Sequence, residues 1–184
     1  MDISGEYRLK VSRQRAWDTL LDPNALHSCI PGCQSLERLT DDHYQARIKT
    51  VIGPVRATFD TELHIKNSNP PESYRLEGEG KGGVVGFGKG YADVTLNEDG
   101  EGTILRYSAT FQVGGRLAQL GSRLVLGVTR KIAADFFDQL TKRIDSEVKR
   151  LDQVSPPMAG HIFSIAAIVM LVAVVLIWWL GGSR

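Results

Sequence analysis

The chain has 184 residues, with 22 Lys and Arg against 21 Asp and Glu and a formal net charge of +1 at pH 7. A balance this even, with both signs mixed along the chain and no basic cluster interleaved with aromatics, excludes a nucleic-acid surface. Cys29 and Cys33 are the only cysteines, too few for a disulfide framework, and a cytoplasmic domain keeps them reduced.

Ile3, Gly5, Tyr7, Leu9 and Val11 alternate with Asp2, Ser4, Glu6, Arg8 and Lys10, the period of a half-buried strand. This opening has neither the basic start nor the short apolar run of a secretory signal, so no export is expected. Ser12 is placed to cap a helix with Trp17, Leu20 and Leu21 as its apolar stripe. Asp22-Pro23 ends that helix before a second short one through Leu26. Cys29-Ile-Pro-Gly-Cys33 reads as a turn. A strand over 44–51 sends Tyr44, Ala46 and Ile48 inward and turns at Gly53-Pro54. Val55, Ala57, Phe59, Leu63 and Ile65 then alternate with Arg56, Thr58, Asp60, Glu62, His64 and Lys66. After a loop at 67–71, two strands surround a glycine-rich stretch. A last strand sets Leu105, Tyr107, Ala109, Phe111 and Val113 against Ile104, Arg106, Ser108, Thr110 and Gln112.

Beyond Gly114-Gly115 the apolar period lengthens to about 3.6 residues. Leu117, Leu120, Leu124, Val128, Ile132, Phe136, Leu140, Ile144 and Val148 then share one face of a long amphipathic helix. Strand, two helices, a run of further strands and a long helix make an α+β helix-grip fold, in which a curved antiparallel sheet wraps the terminal helix.

Residues 162–180 (IFSIAAIVMLVAVVLIWWL) carry no charge and one polar side chain, Ser164. As a helix, a stretch of this length matches the roughly 30 Å hydrocarbon layer of a bilayer. It reads as a transmembrane anchor running from Ile162 through Leu171 to Leu180, with Trp178 and Trp179 at the far interface. Lys142, Arg143, Lys149 and Arg150 precede it and only Arg184 lies beyond it, which places the N-terminal domain on the cytoplasmic side of the cytoplasmic membrane. The expected organisation is a domain over 1–152, a linker over 153–161 stiffened by Ser155-Pro156-Pro157, the single-pass anchor over 162–180 and a short tail over 181–184.

Gly78-Glu-Gly80-Lys-Gly82-Gly83 satisfies G-x-G-x-x-G, but the nearest regular pattern beyond it is the strand alternation of Tyr91 to Leu96. A dinucleotide loop must instead open a helix, so that reading fails. By parity Gly78, Gly80 and Gly82 share the face of Leu76, while Gly86, Gly88 and Gly90 share that of Val94 and Leu96. Glycines on the inner face either leave a hollow or serve curvature and bulges.

No catalytic constellation is visible. His27, His43, His64 and His161 lie in dissimilar contexts without metal-ligand spacing, and the C-x3-C turn fits no common zinc pattern, so no bound metal or covalent cofactor is expected. Neither a G-x-S-x-G elbow nor a Walker A loop occurs. Asp60, Glu62 and Asp93 fall on outward parity. The chain reads as a binder.

Ala25 to Glu37 (ALHSCIPGCQSLE), Val51-Ile-Gly-Pro-Val55, Gly86-Phe-Gly88, Gly102-Thr-Ile-Leu-Arg-Tyr107 and Val113 to Leu124 (VGGRLAQLGSRL) together resemble the CoxG family, the G subunit of carbon monoxide dehydrogenase, over Met1 to Leu151. The resemblance implies a START-like helix-grip domain with a lipophilic cavity. It further implies association with molybdenum hydroxylases of the carbon monoxide dehydrogenase type, and attachment of such enzymes to the inner face of the cytoplasmic membrane. No catalytic motif comes with it, and the particular molybdenum hydroxylase is left open.

A respiratory quinone, menaquinone or ubiquinone, is the expected carried ligand, because its isoprenoid tail exposes apolar surface at about 25 cal/mol per Å2 in water. It would be drawn from the membrane lipid and quinone pool. The expected lining is Tyr7, Phe59, Tyr107 and Phe111 from the sheet, with Leu120, Leu124, Val128 and Ile132 from the helix. Gly121 and Gly127 would loosen the helix start as a gate. The same side chains also suit an ordinary filled core. Two other functions stay open: a recruitment module docking through the Cys29-Pro31-Cys33 turn and Phe87, and a cavity enzyme, for which inward parity offers mainly tyrosines and threonines such as Thr50 and Thr61.

Overall fold

The structure, a computed structural model, describes residues 1–154 and the side chains of 1–150. The anchor residues Ile162, Leu171, Trp178, Trp179 and Leu180 lie outside the described residues, as do the linker from 155 onward and the tail. Among the described residues no helix is long and apolar enough to cross a membrane.

The elements run β1 (Asp2–Leu9), α1 (Arg13–Leu21), α2 (Pro23–Cys29), β2 (Cys33–Arg38), β3 (His43–Ile52), β4 (Val55–Asn69), β5 (Ser73–Lys81), β6 (Phe87–Asp99), β7 (Gly102–Gly114) and α3 (Ser122–Val154). The strands form one antiparallel sheet in the order β1-β7-β6-β5-β4-β3-β2. From β2 onward each strand pairs with the next, so hairpins build the sheet one strand at a time. β1 and β2 therefore sit at opposite edges, and α1 with α2 is the covalent bridge between them. Together with α3 this is the helix-grip architecture.

Local chemistry places the breaks. Ser12 Oγ accepts from Arg15 N–H at 3.4 Å as the N-cap of α1. Asp22 closes α1 and caps α2, its two carboxylate oxygens accepting from Asn24 N–H and Ala25 N–H at 3.1 Å each, with Pro23 at the first helical position. Asp22→Ala is expected to cost about 1 kcal/mol, read as a lower urea midpoint at unchanged m-value. At the β3–β4 turn Gly53 has φ of 59°, which suits the first position of a two-residue hairpin loop and pairs Ile52 with Val55.

The core lies between the concave face of the sheet and α3. Leu9, Leu105 and Leu140 are wholly buried, and Leu96, Tyr44 and Ile144 nearly so. Thr103 is buried as well, and its hydroxyl donates to Val11 C=O at 2.8 Å, fastening β7 to the β1–α1 connection. The outer face is polar. Arg75 makes a two-pronged pair with Asp93 at 2.7 and 2.9 Å, and Arg106 meets Glu6 at 2.6 Å. The Arg75 hydrogen bonds hold the Asp93 carboxyl below the usual carboxylate range.

The long helix begins later than its apolar stripe suggests. Gly115–Leu120 forms a 3-10 turn, Gly121 has φ of 84°, and the α-helix starts at Ser122. A left-handed residue cannot continue a right-handed helix, so Leu117 and Leu120 belong to the turn and the register restarts. The buried face is consequently Val125, Phe137, Leu140 and Ile144, while Leu124 is left 39% exposed. At its other end α3 runs to Val154, two residues into the expected linker. Residues Met1–Glu147 make one compact body.

Candidate functional site

A cavity of about 320 Å3 lies under the concave sheet, within the body Met1–Glu147. Leu63 and Ile65 of β4, Tyr74 and Leu76 of β5, Ala92 and Val94 of β6, and Leu105, Tyr107 and Ala109 of β7 form its floor. Thr129, Ile132, Ala133, Phe136 and Phe137 of α3 face them, and Leu20, Leu21, Leu26, Ile30 and Pro31 close one side. Alternation explains the floor: inward residues of four adjacent strands point to one place.

The space comes from alanines. Ala92 and Ala109 are directly paired across β6 and β7, and Ala133 stands on the helix side. Three methyl groups where larger side chains would meet leave the hollow. The inward glycines, by contrast, are tightly covered. A Cβ on Gly78 would come within 2.8 Å of Leu63, one on Gly82 within 2.6 Å of the Phe59 ring, and one on Gly80 within 3.1 Å of Thr61 Oγ1. At Gly90 it would fall on the Thr110 carbonyl and within 2.7 Å of Phe111 Cβ, and at Gly86, with φ of 123°, on the Gly114 carbonyl. Of these inward glycines only Gly88 has ordinary clearance, its nearest atom being Val113 Cγ1 at 3.9 Å. The run thus lets adjoining strands and rings approach closely.

Of the residues expected to line the site, Tyr107 and Ile132 do. Tyr7 stacks on Phe137 at 4.1 Å between ring centroids, and Tyr107 stacks on the same ring at 5.2 Å, so Tyr7 supports the wall from behind. Phe59 lies over Gly82, and Phe111 sits beside Gly90. Leu120 belongs to the 3-10 turn, Leu124 packs on Gly53 of the β3–β4 turn, and Val128 is half-buried outside the lining. Gly121 precedes α3, and Gly127 lies within it facing open space. Sequence reasoning missed Ala92, Ala109, Ala133, Phe136 and Phe137. The available signal was the coincidence of small inward residues on neighbouring strands.

The polar groups of the lining are phenols and one threonine. Tyr44 O–H donates to Leu21 C=O at 2.9 Å, and Thr129 O–H donates to Val125 C=O at 2.9 Å. Burial pushes the Tyr74 and Tyr107 phenols up, so both stay protonated and able to donate. Phe136 meets Phe137 edge to face at 5.0 Å, giving that wall flat ring surfaces.

The cover is fastened to α3 by charge. Arg143 donates to Ser28 Oγ at 3.1 Å and lies 3.9 Å from Asp22 and 3.2 Å from Glu147, which also receives Arg15 at 2.7 Å. Cys29 ends α2 and is buried, Cys33 opens β2, and burial raises both thiols. That makes them poor nucleophiles at neutral pH. On the outer face, away from the cavity, the β3–β4 ladder brings together His43, Glu62 and His64, an arrangement that their separation in the chain concealed.

The model of the carbon monoxide dehydrogenase G subunit (CoxG) matches residues 5–145. The chain belongs to the CoxG family. A conserved protein from Geobacillus kaustophilus is 33% identical with a TM-score of 0.74, over 79% of this chain and 96% of that one. More distant structures share the fold alone. A protein from Thermus thermophilus has 15% identity and a TM-score of 0.62, over 80% of this chain and 99% of that one. An aromatase/cyclase from Streptomyces has 9% identity and a TM-score of 0.62, over 80% of this chain and 95% of that one. Among curated protein sequences none matches significantly. CoxG membership and the cavity thus meet in one helix-grip body.

Proposed function

We propose that this CoxG-family protein is a non-catalytic, membrane-anchored accessory protein that recruits a molybdenum-containing enzyme of the carbon monoxide dehydrogenase type to the cytoplasmic membrane and carries a respiratory quinone for it. The observation that carries the reading is the apolar cavity of about 320 Å3 beneath the sheet, near the lower end of ligand-pocket sizes. That volume suits a quinone ring and the first units of its tail. The rest of a polyprenyl chain must leave through the opening. The flat walls of Phe136, Phe137 and Tyr107 suit a planar ring, and the protonated phenols of Tyr74 and Tyr107 suit donation to its carbonyl oxygens.

The chemistry divides between the partners. Oxidation and reduction belong to the recruited enzyme and the quinone. This chain supplies shelter for the tail, orientation of the ring, and proximity through the apolar segment 162–180. Carboxylate, imidazole, ammonium and guanidinium groups are absent from the cavity lining among the described residues, which favours carriage over acid–base catalysis.

The full chain purified from its own membranes should yield quinone on solvent extraction at close to one equivalent, identified by mass spectrometry. Protein free of extractable quinone would leave the recruitment reading alone. One observation supports recruitment independently. Val84 of the β5–β6 turn, which meets the 3-10 turn before α3, is 86% exposed, and Val51, Phe87 and Leu124 are exposed as well. Exposed large apolar side chains of this kind suit a docking surface. Removal of residues 155–184 is expected to shift the partner dehydrogenase from the membrane pellet to the soluble fraction, and unchanged partition would count against anchoring.

A further inference from the structure

The outer face of the sheet carries a side-chain cluster that carriage of a lipid does not use. Because the β3–β4 hairpin turns in two residues, counting outward from Gly53-Pro54 places His43 opposite His64, and the two rings stack at 4.2 Å between centroids, 18° apart. Glu62, two residues before His64, projects from the same face. One ligand atom from each of the three lies within 4.8 Å of the others. His43 Nε2 is buried and makes no hydrogen bond among the described residues, a poor situation for a ring nitrogen unless another partner takes its place.

We propose that His43, Glu62 and His64 form a binding site for a divalent transition-metal ion of the zinc type. Two imidazoles and a carboxylate make a donor set that suits zinc and its neighbours and that hard cations such as magnesium and calcium, which prefer oxygen alone, do not favour. Three protein ligands leave a fourth position for water or an outside donor. Glu77 stands directly across from His64, Glu79 shares the same shallow groove with Lys89, its partner on β6, and with the Met1 ammonium, and Lys66 follows His64 on the same face. Nitrogen lone pairs lie in the ring planes, so two stacked rings cannot both address one ion at about 2.0–2.1 Å. Capture therefore swings the rings out of their stack, and metal binding is coupled to a local change at the β3–β4 edge of the groove.

The site does not depend on the quinone reading, because the sheet separates it from the cavity. Titration of the detergent-solubilised full chain with zinc alone, followed by calorimetry, is expected to show one saturable equivalent. His64→Gln and His43→Gln should each weaken it by about tenfold or more, whereas Cys33→Ser and His27→Gln should leave it unchanged. In the unaltered protein, imidazole NMR signals of His43 and His64 should shift together with the same saturation, a readout that survives if a variant fails to fold. Absence of saturable binding, binding unaffected by loss of His64, or shifts confined to other histidines would each overturn the proposal.

Discussion

Replacing Ala109 and Ala133 together with phenylalanine is expected to leave the protein folded and to lower its extractable quinone by about tenfold or more, a loss of at least about 1.4 kcal/mol of binding. Both alanines line the hollow, one from the centre of β7 and one from α3. Each new ring would enter space that holds no side chain among the described residues, so the overpacking penalty that accompanies added bulk in a filled core should be small here. Filling a dry cavity can even stabilise, by about 0.5–2 kcal/mol, and the thermal midpoint separates that outcome from unfolding. Quinone retained at unchanged stoichiometry in a folded variant would show that the ligand is held elsewhere. Should the double variant fail to fold, Ala109→Leu alone asks the same question with less added volume.

Gly90→Val is expected to cost about 3 kcal/mol or more, toward the upper end of overpacking penalties, with Gly88→Ala two residues away changing stability by less than about 1 kcal/mol. The difference lies in what a Cβ would meet. At Gly90 the Thr110 carbonyl and the Cβ of Phe111 already occupy the place, and both belong to the paired strand β7, which cannot withdraw without breaking its ladder. At Gly88 the nearest atom is a valine methyl at 3.9 Å. Urea unfolding of both variants decides between curvature and vacancy as the reason for the glycine run. Equal, mild effects would mean that the run is loosely packed after all.

Alternation made the sheet legible. Tyr44 against His43, Ile65 against His64 and Val94 against Asp93 each have the burial that parity assigns, because a strand has only two faces and one of them must be apolar. The two short helices were equally plain, since Ser12, Asp22 and Pro23 are chemically suited to little else at those positions. The start of α3 was not. The leucine spacing continues smoothly through Gly121, and periodicity alone cannot register a single residue with positive φ. The lining was half legible for a related reason. Parity gave the face on which Phe59, Phe111, Tyr107 and the glycines lie, but which part of that face is empty depends on how strongly the sheet curls and on which rings fold over the bare backbone, as Phe59 does over Gly82. Alanine, unremarkable in any one strand, becomes informative only when Ala92 and Ala109 are known to be neighbours. Likewise His43 and His64 are far apart in the chain, yet the two-residue turn at Gly53-Pro54 determines their meeting by simple counting.

Only α1 and α2 join the two margins of the sheet, β1 and β2. That crossover works as a hoop around a barrel stave. Its length sets how far the staves can spread, and so the calibre of the chamber inside. Lengthening it by a few residues would let the margins relax apart and widen the hollow, whereas shortening it would narrow the hollow and draw in the side that Leu20, Leu21 and Leu26 close.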